Sequence, residues 1–91
     1  MKPIVSIIIP VYNAEKTLRK CVESLELGTE RNIQVILVED RSADQSWTQC
    51  EALSKEFHNI VCIRNAENSG VSYTRDQGLA QAQGEYVLFV D

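Results

Sequence analysis

The chain has 91 residues, enough for one compact domain and no more. Nine basic and thirteen acidic residues give a net charge of −4, which argues against a protein that binds the nucleic-acid backbone through a basic surface. The composition, 44% hydrophobic and 24% charged, is that of a folded globular chain. Three cysteines without a C-x-x-C pair favour free thiols in a reducing compartment over a disulfide framework or a zinc site.

Along the chain, short apolar runs typical of strands alternate with apolar stripes at helical spacing. The first two segments are a predicted strand and a predicted helix. Residues 4–9 form a short β-branched run typical of a strand covered on both faces, and Pro10 is expected to end it. Asn13 is the expected cap of a first helix, and Gly28 is its expected stop. The apolar stripe of that helix consists of Ala14, Leu18, Cys21, Val22 and Leu25.

The middle of the chain repeats this pattern. Residues 33–38 are a second strand-like run, and Asp44 is a suitable cap for a second helix that closes at Asn59. The single histidine, His58, falls at the end of this helix and is expected on the surface. The apolar stripe of the helix comprises Trp47, Cys50, Leu53 and Phe57, which we interpret as core residues rather than a platform on which a ligand stacks.

The last third of the chain contains two strands and one helix. Residues 60–63 are strand-like, residues 71–82 are helical in pattern with Gly84 as the stop, and residues 86–90 are strand-like again. Strands separated by helices of this length form parallel sheets with right-handed crossovers. The sequence therefore predicts an α/β fold: a three-layer structure with a four-stranded parallel sheet and helices on both faces. Common topology suggests the strand order 3-2-1-4.

Polar residues follow the strands, and the carboxyl ends of parallel strands meet at one edge of the sheet. In open α/β sheets ligands bind at this edge, where the strand order reverses. With the order 3-2-1-4 the reversal lies between the first and fourth strands, so Tyr12, Asp40 and Asp91 are expected around one crevice. The chain lacks G-x-G-x-x-G and G-x-x-x-x-G-K-[ST], which argues against a dinucleotide fingerprint and a P-loop.

Five segments together resemble the front half of family 2 glycosyltransferases, which have the GT-A fold. They are SIIIPVYN at 6–13, VED at 38–40 with Ser42 and Asp44, NSG at 68–70, Arg75 with Gly78-Leu79, and GEYVLFVD at 84–91. The resemblance implies that residues 1–91 are a partial nucleotide-sugar-binding domain, truncated at the start of the D-x-D motif. A nucleotide-sugar donor would then lie across the crevice.

The resemblance assigns the base of the nucleotide to the first half of the chain. Pro10, Tyr12 and Asn13 would flank the base, and Asp40 matches the aspartate that bonds it. A carboxylate accepts hydrogen bonds and does not donate them, so Asp40 suits the N3–H of uracil and not the bare N3 of cytosine. Thymine and guanine also present a ring N–H. The alternative for Asp40 is a turn or cap residue in a polar loop.

The resemblance places Arg75 near the nucleotide and Asp91 beside the ribose and a metal ion. Arg75 would contact the base, orient Asp40 or offset the diphosphate charge; the alternative is a solvated arginine on a helix. Asp76 stands where the family more often has Asn. Asp91 resembles the first acid of D-x-D, beside the ribose and a Mg²⁺ or Mn²⁺ ion, to which it would be a partial or indirect ligand. Oxygen ligands suit both ions.

The sequence thus predicts the donor-binding part of a glycosyltransferase that moves a sugar, with UDP as the expected carrier, to a hydroxyl of a saccharide, lipid or other acceptor. Inversion, metal dependence and a place in cell-wall or polysaccharide synthesis come from the resemblance alone. No residue of the chain is assigned as catalytic, and the chain alone is expected to be inactive. The alternative is a non-catalytic nucleotide-binding or protein-interaction module. We expect a cytoplasmic location, with membrane attachment through segments further along, and a homodimer through an exposed sheet edge.

Overall fold

The structure is a computed structural model that describes residues 3–25 and 32–90. Four strands alternate with three helices, as predicted. In chain order they are β1 (Val5–Val11), α1 (Leu18–Glu23), β2 (Ile33–Glu39), α2 (Ser46–Glu56), β3 (Ile60–Arg64), α3 (Val71–Gln81) and β4 (Tyr86–Phe89).

The four strands form one parallel sheet in the order β3-β2-β1-β4, which confirms the predicted topology. The central strand β1 pairs with both neighbours, so that Ile7 lies between Val35 of β2 and Leu88 of β4. Successive residues of a strand point to opposite faces of a sheet. The sheet of this chain therefore presents two apolar faces, and each requires a cover.

Helices α1 and α2 cover one face and enclose the larger core. The buried residues of this core are Ile7, Ile9, Val11, Leu18, Val22, Val35, Leu37, Cys50, Leu53 and Ile60. Trp47 and Phe57 are half-buried and pack against it, as expected of core residues. The three cysteines are free, and burial raises the pKa of the Cys50 thiol to about 12. A thiol with so high a pKa is unreactive and serves as an apolar core group.

Helix α3 covers the other face, which confirms the three-layer arrangement. It packs on β1 and β2 over a smaller core of Ile8, Ile36 and Val38. The approach is close at Gly78, where a Cβ atom would lie 2.5 Å from Cγ2 of Ile8 and 3.1 Å from Cγ2 of Val38. Glycine is a poor helix former, but at position 78 it allows α3 to approach the sheet closely.

The end of β1 differs from the prediction, because Pro10 does not end the strand. β1 continues to Val11, which is paired with Glu39. The carbonyl of Ile8 accepts a bond from the N–H of Val90 at 3.0 Å, so Ile8 faces β4, and Pro10, two residues on, faces the same side. The pairing with β4 stops at Ile8. The missing N–H of Pro10 therefore costs the sheet no hydrogen bond.

The predicted helix ends are also corrected. Asn13 does not cap α1, which begins only at Leu18; Asn13 has φ 50°, outside the conformation of a cap. Gln45, not Asp44, stands at the N-cap of α2, although the Asp44 carboxylate accepts the N–H of Ser46 at 2.9 Å. The predicted stop of α1, Gly28, lies outside the described residues.

The stop of α3 is different again. The helix ends at Gln81 with Ala82 as its C-cap, and Gly84 serves another purpose. A Cβ atom at Gly84 would lie 2.7 Å from the backbone nitrogen of Ser6, and the Gly84 N–H donates to Oγ of Ser6 at 2.9 Å. Gly84 thus lets the chain enter β4 in contact with β1. Within residues 3–25 and 32–90, no helix combines the length and apolar character needed to cross a bilayer.

The close approach at Gly78 predicts whether a Gly78→Ala substitution stabilises or destabilises the fold. In an exposed helix Gly→Ala stabilises by about 1 kcal/mol. We expect Gly78→Ala to destabilise the fold by about 1–3 kcal/mol instead, because the new methyl group overpacks the contact with Ile8. Urea unfolding measures the difference, with the exposed Ser72→Ala on α3 as control. A stabilised Gly78→Ala variant would contradict the packing.

Strand β4 lies at an edge of the sheet and gives a second prediction. Its four residues, Tyr86, Val87, Leu88 and Phe89, are all exposed. Exposed apolar edge strands pair with other chains, so we expect self-association that increases with concentration. Leu88→Lys should reduce it, whereas Leu79→Lys, at a similarly exposed position on α3, should not. Analytical ultracentrifugation over a range of concentrations tests this prediction. A wild-type chain that stays monomeric at high concentration would contradict the predicted homodimer.

Candidate functional site

A cavity of about 390 Å³ opens at the carboxyl edge of the sheet, where the sequence predicts a crevice. This volume lies within the range of small-molecule sites. The end of β1, the end of β2 and the start of α3 form its walls. The lining residues are Pro10, Val11, Tyr12, Asp40, Asn68, Gly70, Val71 and Thr74.

Two consecutive acids end β2, and they face different surroundings. Glu39 is fully buried, and its carboxylate accepts the N–H groups of Arg41 and Ser42 and the Nε–H of Arg64, the last at 2.8 Å. The Arg64 guanidinium also lies 5.4 Å from the centre of the Trp47 ring on α2. Glu39 therefore stabilises the turn after β2 and does not line the cavity, which leaves that role to Asp40.

The loops after β1 and β2 are bonded to each other. The N–H of Asn13 donates to Oγ of Ser42 at 2.8 Å, and Oδ1 of Asn13 accepts the N–H of Ala43 at 2.9 Å. The N–H of Ala14 donates to Oγ of Ser46 at 2.8 Å. These contacts account for the left-handed backbone of Asn13, a conformation that asparagine tolerates better than most residues.

Asp40 connects β2 to the loop before α3. Its Oδ1 accepts Nδ2–H of Asn65 and the N–H of Ser69, both at 2.8 Å. Its Oδ2 accepts the N–H of Gly70 at 3.0 Å and Nδ2–H of Asn68 at 3.2 Å. A carboxylate has about four acceptor positions, so the protein itself uses all of them. Asp40 thus has a structural role, in which it ties the end of β2 to the loop before α3.

The hydrogen bonds keep Asp40 ionised although only 5% of the residue is exposed. Burial alone would raise the pKa of this carboxyl group. Hydrogen bonds from Asn65, Ser69 and Gly70 outweigh burial, and the net effect lowers the pKa from its reference value. A fixed negative charge therefore lies at the inner end of the cavity.

The remaining predicted site residues are distributed unevenly. Pro10 and Tyr12 line the cavity with Asp40, and Tyr12 is 54% exposed. Asn13 is not part of the lining. Arg75 is half-buried on α3 outside the lining, with its guanidinium 5.7 Å from the centre of the Phe89 ring at the end of β4. The position of Asp91, predicted beside ribose and metal, lies outside the described residues.

Sequence reasoning missed three polar residues around Asp40. Asn65 is 5% exposed and donates to both Asp40 and Oγ1 of Thr74, the latter at 3.0 Å. Thr74 in turn donates to the carbonyl of Gly70 at 2.7 Å. Asn68 lines the cavity and donates to the carbonyl of Asp40 at 3.0 Å. The available signals were the position of Asn65 directly after a strand and the spacing Gly70–Thr74, which suits the first turn of a helix.

The described residues do not form a metal site. Between residues 3–25 and 32–90, no three His, Cys, Asp or Glu side chains are grouped in a way that could hold an ion. The carboxylate that lines the cavity, Asp40, is already bonded to four protein donors.

The parallel sheet in the order β3-β2-β1-β4, with helices on both faces, is the fold of a GT-A-like α/β domain, and comparison with known proteins gives the family. The model of the family described as "Glycosyl transferase family 2" matches residues 6–91. The chain belongs to this family.

Individual relatives agree with this assignment. Over 87 residues the chain is 42% identical to glycosyltransferase GlyA of Streptococcus pneumoniae, covering 96% of this chain and 12% of the relative. It is 38% identical to a poly(ribitol-phosphate) beta-glucosyltransferase of Bacillus spizizenii, covering 96% of this chain and 14% of the relative. The structure of S. aureus TarS 1–349 in complex with UDP-GlcNAc superposes with a TM-score of 0.86 at 34% identity, covering 97% of this chain and 26% of that one. The chain thus spans less than a third of the length of these proteins.

The lowered pKa of Asp40 predicts how stability depends on pH. A group with a folded-state pKa below its unfolded value, here near 3.8, contributes stability that is present above the unfolded pKa and is lost as the pH falls through the folded pKa. We expect Asp40→Asn to cost about 2–3 kcal/mol at pH 7, because the amide cannot accept the same donors. The difference from wild type should shrink below about pH 4.

Urea unfolding between about pH 3 and pH 7 measures this difference. Asp76→Asn, at an exposed position on α3, is the matched control and should show no such change. A cost of Asp40→Asn that is the same at every pH would show that the charge of Asp40 contributes nothing to the fold.

Proposed function

We propose that the chain is the donor-binding part of a glycosyltransferase. The enzyme transfers a sugar from a UDP-sugar to a hydroxyl group of a saccharide, a lipid or a polyol-phosphate polymer. The observation that supports this most directly is the pairing of an ionised, buried acceptor, Asp40, with an exposed aromatic wall, Tyr12, in one cavity. A nucleobase offers the complementary groups, namely a flat apolar face and a polar edge.

The cavity suits a base in both shape and chemistry. Pro10, Val11 and Val71 contribute apolar walls, and Tyr12 offers a ring on which a base can stack. The Asp40 carboxylate accepts a ring N–H, which uracil has at N3 and cytosine lacks. TarS, which is 34% identical over nearly the whole chain, was solved with UDP-GlcNAc, and this favours uracil among the bases with a ring N–H.

The proposed reaction breaks the bond between the anomeric carbon and the β-phosphate oxygen and forms a bond to the acceptor oxygen. UDP leaves with the electrons of the broken bond, and the acceptor hydroxyl proton passes to a general base. Attack opposite the leaving group inverts the anomeric centre. In the described part of the cavity lining, Tyr12 and Asp40 are the titratable groups. Asp40, with its lowered pKa and four donors, is a poor base. We therefore propose that the 91-residue chain binds the donor and does not transfer the sugar by itself.

The phosphates raise a question of charge. A diphosphate beside Asp40, on a chain with a net charge of −4, is repelled unless a cation offsets it. We retain Mg²⁺ or Mn²⁺ as that cation, which would stabilise the charge of the leaving diphosphate, with Asp91 as a partial or indirect ligand. Arg75 is proposed to contribute positive charge from α3.

The names of the relatives support a proposal for the acceptor and for the biosynthetic role of the enzyme. One acts, by its name, on poly(ribitol phosphate), a hydroxyl-rich polymer. We propose an acceptor of this class and a role in the synthesis of cell-wall or other surface polysaccharides, which places donor binding on the cytoplasmic side of the membrane.

Removing the aromatic wall should weaken nucleotide binding. Base–aromatic stacking contributes about 1–3 kcal/mol, so Tyr12→Ala should raise the dissociation constant for UDP by a factor of about 5 to 150. Tyr12 is largely exposed, so the variant should remain folded. An NMR titration of UDP into the chain, with and without Mn²⁺, measures the effect.

Tyr86→Ala is the matched control for this titration. Tyr86 is also exposed, but it pairs with Val5 at the opposite end of the sheet, so UDP affinity should not change. If the wild-type chain binds no nucleotide diphosphate with or without Mn²⁺, the proposed function is wrong. If both tyrosine variants lose the same affinity, the base does not stack on Tyr12.

A further inference from the structure

The proposed function requires a nucleobase N–H to reach Asp40, yet four protein donors already occupy its acceptor positions. A carboxylate accepts about four hydrogen bonds, so a fifth donor gains full strength only when another leaves. The donor that leaves determines the cost of binding and influences which bases bind.

Three of the four donors cannot leave without rearranging the fold. Ser69 and Gly70 donate from the backbone, at 2.8 and 3.0 Å, directly before α3. Asn65 is 5% exposed and is held from its other side by Thr74. Displacing any of these groups would leave a buried donor unsatisfied or move the start of the helix, and each is costly.

Asn68 is different in each respect. It donates from a side chain, the residue is exposed, and it lines the cavity beside Asp40. Its bond to Oδ2 is the longest of the four at 3.2 Å, and the same nitrogen is shared with the carbonyl of Asp40 at 3.0 Å. Rotation of the Asn68 side chain would release an acceptor position on the cavity side, and the freed amide would reach water.

We propose that the Asn68 amide occupies the acceptor position of Asp40 that a nucleobase N–H takes over on binding, and that Asn68 thereby limits both affinity and base selectivity. This rests on the proposed function. A uracil N3–H replaces Asn68 as donor to the carboxylate. A cytosine N3 is an acceptor, which meets only lone pairs at Asp40 but can accept a hydrogen from Asn68. Asn68 therefore opposes uracil and assists cytosine.

The test compares UDP and CDP as probes on the wild-type chain and on Asn68→Ala, by NMR titration. We expect the variant to bind UDP about three- to tenfold more tightly, since no charge-assisted hydrogen bond has to be exchanged. CDP should bind no more tightly than to wild type, so the preference for UDP over CDP increases. Ser72→Ala is the control: Ser72 is exposed near the start of α3 and outside the cavity lining, so neither affinity should change.

Two outcomes would overturn the proposal. UDP affinity that is unchanged or lower in Asn68→Ala, or a parallel change for UDP and CDP, would show that Asn68 only supports the loop. Asn68→Ser, with a side chain too short to reach Asp40 but still polar, repeats the comparison if the alanine variant does not fold. If neither wild type nor any variant binds UDP or CDP, the proposed function itself fails, which is distinct from binding without a gain.

Discussion

The carboxylate of Asp40 is the point on which the carboxyl edge of this domain depends. It takes hydrogen bonds from the end of β3 through Asn65 and from the backbone before α3 through Ser69 and Gly70. One buried charge thus fixes the start of α3, and with it the position of the cavity wall formed by Val71 and Thr74.

The two acids at the end of β2, Glu39 and Asp40, have different roles because they face opposite sides of the sheet. Consecutive residues of a strand face opposite sides, so Glu39 falls on the side of α2 and meets Arg64, while Asp40 falls on the side of α3 and the cavity. Glu39 is paired with a cation, whereas Asp40 is bonded only to neutral donors. Asp40 therefore keeps a net negative charge that no cation neutralises. This charge favours a ligand edge that carries N–H groups and repels a phosphate at the same point.

The fold could be predicted because its signals are local and periodic: apolar runs separated by helical stripes define a parallel sheet whatever their exact ends. Errors arose where long-range contacts override local rules. Pro10 stays in β1 because β4 is too short to need its N–H. Asn13 bonds to Ser42 and Ala43, about thirty residues away, instead of capping a helix. In the site, Pro10, Tyr12 and Asp40 line one cavity at the carboxyl edge. The donors that surround Asp40 depend on how the β3–α3 loop folds back, which no local pattern encodes.

In this cavity, an acceptor that is already satisfied limits both the affinity for a base and the selectivity among bases. A ligand that replaces one donor by another gains little net hydrogen-bond energy, so the apolar walls and Tyr12 must supply much of the free energy of binding. A ligand that offers an acceptor at this point faces the lone pairs of Asp40, but it can accept a hydrogen from the Asn68 amide, which reduces the penalty against it. The satisfied state also keeps Asp40 ionised and the loop in place before any ligand arrives. The same four hydrogen bonds that hold the loop in place thus weaken the preference of the cavity for a base with a ring N–H.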